Sequence, residues 1–275
     1  MSSQNWQTKL PQIKGILFDI DGTLVTSYKK VSQRTQTALQ ILTNQGYELG
    51  VATGRCYGAI ANYILPFFPK NSLHVVDDGA SVVTADGRYL YQQIVPSAVV
   101  KQVVKLAQAY KGVKVAFSQN HHRYYDPKFF DEIKNKDKWR KNMGKINELE
   151  DWSTPSLVIY QVGKKLAQVL DSLQFDQINL TFFETDFGLT YTVRVAGTNK
   201  AQAAKIWGEQ LGIKPEEILI FGDSKNDLEA MKQLGLAVAM GNGVLEVKRL
   251  ADVVIKSNDH HGIARFVDDH LSGKI

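Results

Sequence analysis

Gly15-Ile16-Leu17-Phe18-Asp19-Ile20-Asp21-Gly22-Thr23-Leu24 decides how this chain folds. An apolar run of strand length ends in two carboxylates at i and i+2, followed by a Gly-Thr turn. Period-two geometry puts Asp19 and Asp21 on the same side of an extended segment. Like charges so close to a buried strand end repel, and they persist where a cation or a chemical task requires them. A strand capped by an Asx-type turn accounts for the same letters; the rest of the chain favours chemistry.

Outward from this stretch the chain alternates strands and helices. Ser32 is placed to cap a helix through Ala38, Leu39 and Leu42 that Gly46 stops. Tyr47–Ala52 reads as a second strand, ending in Thr53-Gly54-Arg55, and a helix over 59–64 is halted by Pro66. Leu73–Val76 is a third short strand. This alternation predicts a parallel sheet with covered faces. From about Ser81 the texture changes to a hairpin around Asp86-Gly87, a helix from Pro96 to Tyr110 and a strand from Val113 to Ser118. A polar loop with His121, His122 and Arg123 and a basic helix over Lys134–Lys145 follow. Another strand, a helix and two more strands reach Val195. After Gly197 the first texture returns, with a helix ending at Gly212 and the strand Ile218–Phe221 leading into Gly222-Asp223-Ser224-Lys225-Asn226-Asp227. The expected organisation is core (1–81 and 197–275) interrupted by an α+β insert (82–196).

Composition is that of a globular chain: 275 residues, 44% hydrophobic, 22% charged. Apolar runs are of strand length, so no membrane helix is expected. The polar first dozen residues lack a secretory h-region, and one cysteine, Cys56, excludes an internal disulfide framework. Both readings predict a cytoplasmic protein. The net charge of +5 concentrates in Lys134–Lys145, read as a solvated helix face, and no nucleic-acid module accompanies it.

Each predicted core strand is followed by polar residues at its C-terminal end: Asp19 and Asp21, Thr53, then Asp223, Asn226 and Asp227. In an open α/β sheet that edge binds ligands. Carboxylates converging there require a hard cation, and oxygen ligands favour Mg²⁺. Metal, carboxylate and phosphate together suggest phosphoryl transfer. Asp19 could attack phosphorus, Asp21 could protonate the leaving oxygen and then deprotonate water, Thr53 could bond a phosphoryl oxygen, and Lys200 could neutralise charge.

These residues also resemble the four motifs of the haloacid dehalogenase (HAD) superfamily. The motifs are Asp19–Leu24, Thr53-Gly54-Arg55, Lys200 and Gly222–Asp227. Val238–Asn242, Ala251-Asp252 and Ser257-Asn258…Gly262 are similar to its Cof-like branch. The resemblance implies a Rossmann-like core with an inserted α+β cap of type IIB. Spacing agrees, since 34 residues separate Asp19 from Thr53 and 170 separate Thr53 from Asp223. The implied activity is Mg²⁺-dependent hydrolysis of small phosphorylated metabolites, sugar phosphates above all, through an aspartyl-phosphate on Asp19. Asp21 is the implied general acid/base, and Asp19, Asp21 (through its carbonyl), Asp223 and Asp227 the implied metal ligands. Thr53, Gly54, Arg55, Lys200 and Asn226 form the implied substrate side, although Arg55 could instead pair with a core carboxylate. Asp78 stands where the family often has Asn. Cap residues Asp186 and Phe187 are further specificity candidates. A phosphomutase of the same fold and a non-catalytic phosphometabolite sensor are the alternatives. The expected partner is a small phosphate ester rather than nucleic acid or membrane, and the expected assembly a monomer or weak homo-oligomer.

Overall fold

The computed structural model describes residues 6–134, 142–185 and 188–273. In chain order the elements begin with β1 (Gly15–Phe18), α1 (Gln33–Asn44), β2 (Glu48–Val51), α2 (Tyr57–Ile60), β3 (Leu73–Val76), β4 (Ser81–Thr84) and β5 (Tyr89–Gln92). Next come α3 (Ser97–Gln108), β6 (Lys114–Gln119), β7 (His122–Tyr125), α4 (Pro127–Ile133), β8 (Met143–Lys145), β9 (Leu157–Tyr160), α5 (Lys164–Ser172), β10 (Ile178–Thr185) and β11 (Gly188–Val195). The chain closes with α6 (Lys200–Leu211), β12 (Ile218–Gly222), α7 (Leu228–Gln233), β13 (Leu236–Ala239), α8 (Leu245–Leu250), β14 (Val253–Val254) and α9 (Gly262–His270).

These elements form two compact units. One comprises Met1–Gly54, Ile64–Leu90 and Asn199–Ile275, the other Arg55–Tyr63 and Tyr91–Thr198. The expected insert ran from 82 to 196. In the structure the chain up to Leu90 stays with the first unit, and 55–63 goes to the second.

The first unit is built on a five-stranded sheet ordered β14-β13-β12-β1-β2, parallel throughout. β1 lies between β12 and β2 and is wholly buried, as an all-apolar run should be in a sheet covered on both faces. Phe18 pairs with Phe221 on one side and Val51 on the other, and the rings of Phe18 and Phe221 stack at 5.1 Å. Because β1, β2 and β12 run in the same direction and in register, their C-terminal residues open onto one edge. β3 departs from the predicted parallel sheet. It meets β2 through a single bridge, Ala52 to Val75, and otherwise pairs antiparallel with β4 in a three-stranded sheet. The cap read from sequence is present, Ser32 Oγ accepting from Thr35 N at the start of α1; a second cap, not read from sequence, is Asn199, whose Oδ1 accepts from Gln202 N at the start of α6. Gly212, at φ 68°, ends α6.

The second unit has a six-stranded sheet ordered β10-β11-β9-β6-β7-β8, antiparallel except where β7 meets β8. Val115, Phe117, Leu157, Ile159 and Val193 of one face bury against α3 and α5. At roughly 1.5–3 kcal/mol for each large apolar side chain removed from water, this face is what holds α3 and α5 down. The predicted polar loop at His121–Arg123 is instead a tight turn entering a strand: Asn120 and His121 have positive φ, and His122 and Arg123 lie on β7. Of the predicted basic helix, 135–141 fall outside the described residues and Lys145 ends β8. Asp186 and Phe187 also lie outside the described residues. The predicted helix over 59–64 is a single turn, α2, whose Gly58 carbonyl accepts from Asn142 Nδ2 at 3.0 Å. Among the described residues no helix is long and apolar enough to cross a membrane.

Candidate active site

The chain leaves β1 through Asp19, whose amide continues the ladder by donating to Phe221 O at 2.9 Å. It then folds back at once, with Leu24 N donating to Asp19 O and Val25 N to Ile20 O. Gly22 makes this possible at φ 84°, a conformation that costs an L side chain energy. A Cβ there would also collide with the Asp223 carboxylate. Thr23 Oγ1 donates to Asp223 Oδ1 at 2.8 Å, tying the loop after β1 to the loop after β12. Asn242 Nδ2 holds the Gly22 carbonyl and Asn258 Nδ2 the Val25 carbonyl, both at 2.8 Å. The Cof-like letters at Asn242 and Asn258 therefore serve to pin the β1 loop.

Lys200, the first residue of α6, is 1% exposed. Its Nζ lies 2.6 Å from Asp19 Oδ1 and 2.6 Å from Asp227 Oδ1. The other Asp227 oxygen accepts the amides of Asp223 and Ser224, each at 3.0 Å. Asp227 thus shapes the β12 loop and orients the lysine together. Oxygen atoms of Asp19, Asp223 and Asp227 all lie within 4.8 Å of one another. Three carboxylates against one ammonium leave a formal excess of negative charge. The donors are hard oxygens with no His or Cys among them, which is the donor chemistry of Mg²⁺ rather than of Zn²⁺. The residues therefore fit the cation that the sequence called for.

Charge in the cluster is set by burial first. Desolvation holds the Asp19 carboxyl well above the usual carboxylate range, Asp227 and Asp223 push it the same way, and Lys200 opposes them. Burial likewise lifts Asp223 to about 6, against the Thr23 hydrogen bond. Burial alone would depress Lys200, but Asp19 and Asp227 outweigh it and keep the ammonium protonated beyond its ordinary range.

Asp21 stands apart from the three. Its side chain is 41% exposed and pairs with Lys29 at 2.8 Å, a partner that the sequence pattern did not single out. Thr53, 2% exposed, follows β2; its amide donates to Val75 O and its carbonyl accepts from Asp78 N at 2.9 Å. Asp78, in the left-handed region at φ 54°, carries its carboxylate over Gly54, where an added Cβ would come within 2.9 Å of Oδ1. That oxygen accepts from Asn226 Nδ2 at 2.8 Å. Asn226 is thereby engaged with a core carboxylate, a pairing across 148 residues that no local pattern could show. Arg55 opens the segment assigned to the second unit.

Residues 16–267 match the haloacid dehalogenase-like hydrolase family, and the chain belongs to it. It is 27% identical over 272 residues to the 5-amino-6-(5-phospho-D-ribitylamino)uracil phosphatase YitU of Bacillus subtilis, over 94% of this chain and 97% of that protein. A haloacid dehalogenase-like hydrolase from Bacteroides thetaiotaomicron shares the fold with a TM-score of 0.79 at 24% identity, over 94% of this chain and 99% of that one. The HAD subclass IIB sugar phosphatase BT4131 does so with a TM-score of 0.74 at 23% identity, over 95% of this chain and all of the other. The resemblance read from the motifs is borne out, and so is the α/β fold with its parallel core. The protein is a hydrolase of the HAD type.

Proposed function

We propose that this enzyme hydrolyses small phosphorylated metabolites, sugar phosphates foremost, through a covalent phosphoryl group on Asp19, with Mg²⁺ as its cofactor. The observation that carries the reading is the convergence of Asp19, Lys200, Asp223 and Asp227 at the C-terminal edge of one parallel sheet. An Asp19 oxygen attacks phosphorus while the P–O bond to the leaving group breaks. Asp21 gives its proton to the departing oxygen, then takes one from the water that hydrolyses the acyl phosphate. Thr53 and Lys200 bind phosphoryl oxygens, and Gly54, Arg55 and Asn226 complete the substrate side. Asp19, Asp223 and Asp227, with the Asp21 carbonyl, are the residues that would hold Mg²⁺. When bound, it would offset the repulsion between carboxylate and phosphate. The first unit supplies this chemistry and the second, as the cap, selects the ester. The names of the Bacillus phosphatase and of BT4131 support a phosphorylated polyol or sugar as substrate.

Phosphate release from sugar phosphates, nucleotides and pyridoxal phosphate, with Mg²⁺ or EDTA, tests the reading. Wild type should release phosphate only with Mg²⁺, and Asp19→Asn should lose at least about 10³-fold. Failure of the Mg²⁺-loaded wild type to hydrolyse any ester would overturn it.

A further inference from the structure

The parallel sheet of the first unit has a second edge, where its strands begin. Helices that return the chain between parallel strands run against them, so α1 and α6 deliver their C-terminal ends there. A cavity of about 360 Å³ opens at this edge, lined by residues 13–14, 45–48 and 211–213. Small-molecule sites run from roughly 300 to 1,000 Å³. Ile13, Leu211 and Ile213 give it an apolar wall. The helices leave through Gly46 at φ 80° and Gly212 at φ 68°, and a Cβ on either would meet nothing within 4 Å. No neighbouring side chain fills the space beside those two turns.

The charge at this edge is negative, although the chain as a whole carries +5. Two helices end here with the negative ends of their dipoles, and neither has a basic residue in its last turn. The last turn of α6 carries Glu209 instead. Glu48, the first residue of β2, lines the cavity, and its carboxylate has no partner among the described residues. Lys14 lines it too, but its Nζ is committed to Glu217 at 2.6 Å. One ammonium therefore stands against two carboxylates and two helix ends. The buried Oε1 of Gln45 meets no donor among the described residues, an acceptor that a ligand N–H can satisfy if the amide turns into the cavity.

We infer that this cavity is a ligand site separate from the Asp19 cluster, and that it takes a small organic ammonium ion with an apolar body. Glu48 and the helix ends meet the ammonium; Ile13, Leu211 and Ile213 meet the hydrocarbon. Every residue involved belongs to the first unit, and the inference does not depend on the phosphatase reading.

Three ligands of similar shape and different charge test it: benzylamine, benzyl alcohol and benzoate. Each is titrated into the full chain at pH 7.5, with Mg²⁺ in excess to compete for the Asp19 carboxylates. The readout is the amide shifts of Gly46 and Gly212 in a ¹H–¹⁵N spectrum, followed to a Kd, with Gly22 and Gly222 reporting on the Asp19 cluster. Benzylamine should move Gly46 and Gly212 and bind at least about threefold more tightly than benzyl alcohol, within the range of a partly exposed ion pair. Benzoate should bind more weakly than either. Glu48→Gln should erase the preference for the amine, and Lys14→Met, which removes the competing cation, should enlarge it. Benzyl alcohol should bind both variants as it binds wild type, which shows that the cavity still forms. Equal affinity for the three ligands would overturn the inference, as would an amine preference that survives Glu48→Gln. So would Gly46 and Gly212 amides that stay still while benzylamine moves Gly22 and Gly222, or that no ligand moves at all.

Discussion

Replacing Lys200 with Met removes one cation from between two buried carboxylates while keeping most of the side-chain volume. Lys200 Nζ is 2.6 Å from both Asp19 and Asp227, and the three residues are 1%, 4% and 0% exposed. Breaking a buried pair by deleting one partner costs about 3–5 kcal/mol, and here one ammonium serves two anions, so the upper end is expected. At about 2–4 °C per kcal/mol for a chain of this size class, the melting temperature should fall by roughly 10–20 °C. The assay is urea unfolding at pH 7.5 in EDTA, followed by circular dichroism and tryptophan fluorescence. Adding Asp227→Asn should recover at least about 1.5 kcal/mol of the loss, a coupling typical of contacting residues. Acidification should also narrow the gap to wild type. A carboxyl raised by burial binds its proton more readily folded than unfolded, so its cost shrinks as pH falls. A loss below about 1 kcal/mol with no coupling to Asp227 would refute the view that Lys200 holds this cluster together.

Three further outcomes follow from named contacts. Buried His74 is held down at about 3 by desolvation; it accepts from Val51 N on Nδ1 and bonds Ser72 Oγ through Nε2. The unfolded chain therefore takes up the proton first, and stability drains as pH falls from about 6.5 towards 3. Wild type should lose about 2 kcal/mol more than His74→Gln between pH 7 and 5 in urea titrations; equal slopes would exclude a neutral buried imidazole. Gly22→Ala places a Cβ at positive φ against Asp223, so it should cost at least about 1 kcal/mol and raise the Mg²⁺ concentration needed for half-maximal activity. Mg²⁺ at about a hundred times its Kd should stabilise wild type by about 2.7 kcal/mol, and Asp223→Asn should remove most of that gain in a thermal-shift titration.

Much of the site was legible before any coordinates because a parallel sheet repeats one rule. Strands buried on both faces read as apolar runs, and the polar residues that follow them must gather at one edge. Asp19, Thr53 and Asp223 were found that way, and the return of βα texture after Gly197 marked the second half of the core. The register of 15–18 between 48–51 and 218–221 was not written locally, and it helps set which oxygens meet. Lys200 was legible as a neutralising charge at a helix start. Its bridging of Asp19 and Asp227, across 181 and 27 residues, depends on where α6 docks. Asp21 to Lys29 and Asn226 to Asp78 are likewise side-chain meetings that no periodicity encodes. That 55–63 goes with the second unit was not legible, because the short helix read over 59–64 carries too little pattern to declare a partner. Arg123 was misread as a loop residue because a four-residue strand entered through two positive-φ residues looks like polar loop text. Sequence alone therefore determined the strand–helix alternation of the core and which polar residues stand at its strand ends, since both follow from local patterning and chain direction. Only the tertiary structure decided which charges neutralise which, because that depends on distances of a few ångströms between residues far apart in the chain.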